Sequence, residues 1–147
     1  MPRERSLRER ALGFLARREH SRAELRRKLL PHAESPEDLD ALLEDLIQRK
    51  FLSESRFAEA RAHAMSRKFG AARIEHDLRA KGVSEEDAAS AAREARITEF
   101  ERALEIWRRI FGAPALDLKE RARQARFLLA RGFSTEVINR ILRHKDE

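Results

Sequence analysis

Cysteine is absent from the 147 residues, which removes disulfides, thiolate metal sites and a cysteine nucleophile together, and accords with a reducing cytoplasm. Tyrosine is absent too, and aromatic residues make up only 6% of the chain. Glycine, at five residues, and proline, at four, are scarce, and no stretch alternates apolar and polar side chains long enough to make a strand. Apolar runs are short, as at Phe127 to Ala130, so nothing predicts a bilayer span. Met1 to Arg10 is basic but lacks the following apolar run of a signal peptide. Glycine-rich phosphate loops, nucleophile elbows and paired ligand motifs are all missing. The five histidines, His20, His32, His63, His76 and His144, are scattered, with no i, i+4 pair for a metal. These absences predict a soluble, cytoplasmic, monomeric protein that is not an enzyme and has no cofactor.

What is present is a repeat. A helix-opening position is followed fourteen residues later by a helix-opening serine three times: Ser21 to Ser35, Gly70 to Ser84, and Glu120 to Ser134. In that register Leu25, Ile74 and Gln124 correspond, as do Leu29, Leu78 and Leu128. A recurrence of about fifty residues predicts one small helical unit used three times. Such a unit buries little alone, so the copies are expected to stack and present an extended surface instead of a pocket. The expected fold is all-α: tandem three-helix repeats over 1–52, 53–96 and 97–147, stacked into an elongated, curved array.

Local signals mark the helices. In the first copy Leu7, Ala11, Phe14 and Leu15 form an apolar stripe, and Ser21 with Glu24 reads as a capping box opening a second helix. Pro31 ends that helix, and Ser35-Pro36-Glu37-Asp38 opens a third carrying Leu39, Leu42, Leu43, Leu46 and Ile47. The second copy begins near Ser53, with Phe57, Ala60, Ala64 and Met65 on its first helix. Gly70 replaces the capping serine, Gly82 provides a left-handed stop, and Ser84 opens an alanine-rich helix. In the third copy Phe100, Leu104, Trp107 and Phe111 make the first stripe, placing Trp107 in the core. Asp117 to Glu120 reads as another capping box, so the next helix starts about a turn early. Gln124 breaks the apolar match, as expected where a last repeat has no neighbour.

Charge alternates with the repeat. Met1–Pro31 holds ten basic and four acidic residues, and His32–Ala60 three and eight. Arg61–Gly82 holds six and two, Val83–Trp107 three and seven, and Arg108–Glu147 ten and five, for a net charge of +6. Superposed copies would align basic helices on one side and acidic helices on another. The candidate interface is therefore Arg17, Arg18, Arg22, Arg26, Arg27 and Lys28, with Arg67, Lys68, Arg73, Arg79 and Lys81 in the second copy. Such cations meet DNA phosphates or acidic protein surfaces. The bland alternative is a solvated face paired locally with Glu24 or Glu75. Sequence-specific base reading is disfavoured, because Gln124 and Asn139 are isolated.

The segment Leu15-Ala16-Arg17-Arg18-Glu19-His20-Ser21-Arg22-Ala23-Glu24-Leu25-Arg26-Arg27-Lys28-Leu29 resembles the signature of the RecX family, regulators of the RecA recombinase. Phe51-Leu52-Ser53-Glu54-Ser55-Arg56-Phe57-Ala58 is similar to the family's first junction, and Gly70, Arg73, Ile74, Leu78, Gly82 and Val83 to its second repeat. Lys50 stands where a glycine is common in the family. The resemblance implies tandem three-helix repeats that lodge along the RecA filament on DNA and damp its ATPase and strand exchange, without catalytic residues. Two other classes compete: a nonspecific nucleic-acid-binding protein acting without RecA, and an adaptor for another acidic protein.

Overall fold

The protein, a computed structural model, is described over residues 4–144; residues 1–3 and 145–147 and the His144 side chain lie outside the described residues. The described residues form nine α-helices and no strand: α1 (Leu7–Arg17), α2 (Arg22–Leu29), α3 (Pro36–Gln48), α4 (Glu54–Met65), α5 (Ala71–Ala80), α6 (Glu85–Ile97), α7 (Glu99–Ile110), α8 (Leu118–Ala130) and α9 (Thr135–His144). A 3-10 turn, Leu30–His32, follows α2, where Pro31 cannot continue the α-helical ladder.

The helices fall into three groups, each with its own core. Ala11, Leu25, Leu29, Leu39, Leu43, Leu46 and Leu52 fill the first. Ile74 and Leu78 pack with Phe57, Met65 and the alanines of α6 in the second, and Leu128 with Trp107, Phe133 and Ile141 in the third. The corresponding leucines and isoleucine of the repeat, Leu25, Ile74, Leu29, Leu78 and Leu128, are all fully buried, so the sequence register is the structural register.

Several local expectations need correction. Ala60 and Ala64 are exposed, and the inward side of α4 is Phe57, Ala58 and Met65, with Ala62 partly buried. Two capping boxes are only half made. Ser21 accepts from the Glu24 amide at 3.0 Å, but the Glu24 carboxylate is taken by Arg18 at 3.0 and 2.5 Å. Asp117 likewise accepts from the Glu120 amide at 2.8 Å while the Glu120 carboxylate is held by Arg123 at 2.8 Å. A bidentate guanidinium is the stronger partner for a carboxylate than one amide. The complete box lies at Ser6 and Glu9, opening α1. Gln124 is not a loose end either. It is 1% exposed and accepts from the Trp107 indole N–H at 2.8 Å, satisfying a donor that leucine would strand.

The groups are joined by polar contacts in a repeated pattern. Glu54, first residue of α4, reaches back to accept from the Arg22 amide at the start of α2 at 2.5 Å. Glu99, first residue of α7, does the same to the Ala71 amide at the start of α5 at 2.7 Å. Each carboxylate caps an orphan N–H at the positive end of another group's helix. Arginines sharing those helices reinforce the joints. Arg56 donates to the Lys50 carbonyl at 2.8 Å and to Glu19 at 2.9 Å; Arg102 donates to the Ser66 and Phe69 carbonyls at 2.8 and 2.6 Å.

The second helices also meet end to end. The Gly70 amide, ahead of α5, donates to the Arg131 carbonyl after α8 at 2.8 Å, and Arg73 donates to the Ala130 carbonyl at 2.9 Å. A Cβ on Gly70 would lie 2.6 Å from the Phe133 nitrogen, so only glycine admits this approach. Gly82, after α5, lies against Ala23 near the start of α2, where an added Cβ would sit 3.4 Å from the Ala23 methyl. Helices α8, α5 and α2 thus run tail to head, each C-terminal end facing the next N-terminal end, an arrangement their dipoles favour.

Candidate interaction surface

The helical line places the predicted cations unequally. Arg22 and Arg26, one turn apart on α2, are half-buried and both reach Asp40 on α3, at 3.4 and 2.9 Å. The Arg26 guanidinium holds the Asp40 carboxyl below the usual carboxylate range. Arg18 and Lys28 meet Glu24, which Arg18 drives down to about 2. Arg79 is shared between Glu75 at 2.7 Å and Glu85 at 3.1 Å, and Lys81 lies 3.5 Å from Asp77. Arg73 belongs to the joint and stacks 4.8 Å from the Phe69 ring centroid. Arg17, Arg27, Arg67 and Lys68 are exposed, and their side chains form no ion pair among the described residues. Arg17 closes α1 and Arg27 lies on α2, while Arg67 and Lys68 fall in the link between α4 and α5, so open positive charge lies near the starts of both α2 and α5.

His20 anchors the link between α1 and α2 from inside. It is 1% exposed, tilted against Phe14 with ring centroids 5.8 Å apart. Its Nδ1 lies 3.1 Å from the Arg18 carbonyl and its Nε2 3.0 Å from Lys28 Nζ. An ammonium has only donors, so Nε2 accepts and Nδ1 carries the proton. Burial pushes the His20 pKa down, which fits this neutral tautomer. Among the described residues no group of three or more His, Asp or Glu side chains is arranged to hold a metal ion, and no helix is long and apolar enough to cross a membrane. A groove of about 490 Å³ between α4 and α6 is lined by Ala58, Ala62, Ala91 and Ala95 and rimmed by Glu59 and Glu94.

Profiles of one family match the chain in three consecutive pieces: its first three-helix domain over residues 8–46, its second over 53–91 and its third over 97–142. The chain belongs to the RecX family. It is 50% identical to a regulatory protein RecX of Leptothrix cholodnii over 96% of this chain and 90% of that one. It is 48% identical to one of Ralstonia pickettii over 97% and 89% of the two chains. A crystal structure of RecX from Lactobacillus salivarius has the same fold, with a TM-score of 0.80 at 20% identity over 95% of this chain and 94% of that chain. Relatives at these identities carry the name regulatory protein RecX.

Sequence reasoning missed the joint residues Glu54, Arg56, Glu99 and Arg102. A signal was present in the glutamate one residue after Ser53 and one residue after Thr98, each opening a helix. It is easily passed over because a glutamate in a first turn is already explained by its own helix dipole.

Proposed function

We propose that this chain regulates the RecA recombinase by lodging along its DNA-bound filament and limiting ATPase and strand exchange. The observation that carries the reading is the tail-to-head line of α8, α5 and α2 in a RecX-family chain, with open cations on α1 and α2 and in the link ahead of α5. A filament repeats along its axis, and a tandem array offers it contacts at successive points. In this reading the units are 1–52, 53–96 and 97–147, the protein acts in the cytoplasm as a monomer, and it regulates by binding without catalysis.

The contacts divide by what each cation already holds. Arg17, Arg27, Arg67 and Lys68 reach phosphates or filament carboxylates without giving up a partner. Arg22, Arg26, Arg79 and Lys81 first exchange Asp40, Glu75, Glu85 or Asp77, so their net gain is smaller. The test titrates the protein into RecA's DNA-dependent ATPase and strand-exchange reactions. Inhibition at substoichiometric amounts is expected. No change in either rate with folded protein present would overturn the reading, and binding to bare DNA without such a change would favour nonspecific nucleic-acid binding.

A further inference from the structure

The joint pattern ends differently in the third unit. The start of α2 is covered by Glu54 and the Gly82 turn, and the start of α5 by Glu99 and the Gly132 turn. At α8 the helix's own extra turn, Leu118 to Glu120 capped by Asp117, stands where the other units bring a glutamate. In the repeat register Arg121 stands where Arg22 and Ala71 do, and its amide donates to the Asp117 carbonyl at 3.0 Å, whereas theirs meet a carboxylate of the next unit. Two leucines stand out beside the start of α8, Leu116 at 96% and Leu118 at 83% exposed, with Ile110 at 48% across the loop. Large aliphatic side chains that exposed, two of them within three residues at the start of one helix, mark a contact surface. Arg108, Arg109 and Lys119 flank them, exposed and without an ion pair among the described residues.

We propose that this tip, Ile110 with Leu116 and Leu118, docks into an apolar pocket bordered by carboxylates on the protein subunits of the filament. The inference rests on the reading above and adds the contact that anchors the third unit. The flanking cations Arg108, Arg109 and Lys119 favour carboxylates in the occupant.

A second copy of the chain is a poor occupant. Its first helix opens with Leu7 where α4 and α7 open with glutamate, and its second helix ends in the Pro31 turn where α5 and α8 end in left-handed Gly82 and Gly132. DNA is also a poor match, because single-stranded bases stack on aromatic rings and these side chains are aliphatic.

The experiment measures binding of the full chain and of Leu116→Ser with Leu118→Ser to RecA filaments assembled on single-stranded DNA with a slowly hydrolysed ATP analogue. The same proteins are measured on single- and double-stranded DNA alone. Helicity and melting temperature should be unchanged, because both positions are exposed; Leu116→Ser alone, at the most exposed position, is the second variant. Filament binding is expected to weaken about tenfold or more, as for a buried anchor, with DNA binding unaltered. Equal filament affinity of variant and wild type would overturn the tip contact while leaving the regulatory reading standing. Equal losses on filament and bare DNA would assign the tip to DNA and overturn the proposal. Self-association of the wild type that the variant abolishes would assign the tip to a second copy and overturn the proposal as well. A wild type that does not bind the filament removes the regulatory reading itself, and the tip proposal with it.

Discussion

Lys50 takes a left-handed backbone, φ 66°, as the only non-glycine to do so among the described residues. The turn is forced: the Phe51 and Leu52 amides both fold back to the Leu46 carbonyl, at 2.9 and 3.2 Å, so that Leu52 can enter the first core. A left-handed residue with a Cβ costs about 1–2 kcal/mol. Lys50→Gly is therefore expected to raise stability by up to about 1 kcal/mol, read as a higher denaturant midpoint at unchanged slope. A lower midpoint would show that the lysine stem contributes more than the strain costs. Gln124 makes the opposite case. Repeat logic would replace it with leucine, matching Leu25, yet Gln124→Leu leaves the Trp107 indole N–H buried without an acceptor, and a loss of about 1–3 kcal/mol is expected. His20 and Glu24 give the first link its pH dependence. Both folded pKa values lie below their unfolded values, so both contributions are present at neutral pH and lost on acidification. His20 stability fades as pH falls below the ordinary 6.5, and Glu24 stability between the ordinary 4.5 and about 2. The stability difference between wild type and Glu24→Gln should accordingly shrink as pH drops through the lower window; a constant difference would remove Arg18–Glu24 as its source.

Helices joined by such contacts can be separated without melting. Gly70 lies against the Gly132–Phe133 peptide at the meeting of α5 and α8, and a methyl there has no room. Gly70→Ala is expected to force the third unit off the second while each keeps its own core, because the Phe57–Ala95 and Ala103–Leu142 clusters share no residue. Hydrogen exchange should speed up at the Gly70 amide, whose bond to Arg131 spans the joint, and stay slow at Ile74 and Leu128. Uniform acceleration across both cores would mean that the units fold only together. The helices themselves are legible in sequence because their caps and stripes are local: Ser21, Ser35, Ser53, Ser84 and Asp117 all accept from the amide three residues on. The joints are not legible, since a bond such as Glu99 to Ala71 depends on how two units are placed and on no local pattern. In sequence Gly70 looks like a replaced serine, whereas its physical reason is a backbone 62 residues away. The same gap affects the interface. Basic positions are visible as a pattern, but which of them already hold Asp40, Glu75 or Asp77 depends on packing between helices.

At the scale of the whole molecule, that division between held and open cations predicts how binding responds to mutation. Arg17, Arg27, Arg67 and Lys68 hold no ion pair among the described residues, so truncating all four to alanine should leave the melting temperature within experimental scatter. Each that meets a phosphate releases counterions, and its loss should flatten the salt dependence on single-stranded DNA by about 0.7 in log–log slope. Arg22→Ala with Arg26→Ala differs on both measures. It leaves Asp40 without either partner, so it should lower stability slightly, and it removes cations whose charge Asp40 already offsets, so the slope should change less per residue. The comparison is made by measuring filament affinity at several salt concentrations for both variants. A steeper loss per residue for the Arg22 and Arg26 pair would reverse the assignment: Asp40 would then be holding those two arginines in position for the partner, and the contact face would lie on the side of α2 that faces Asp40.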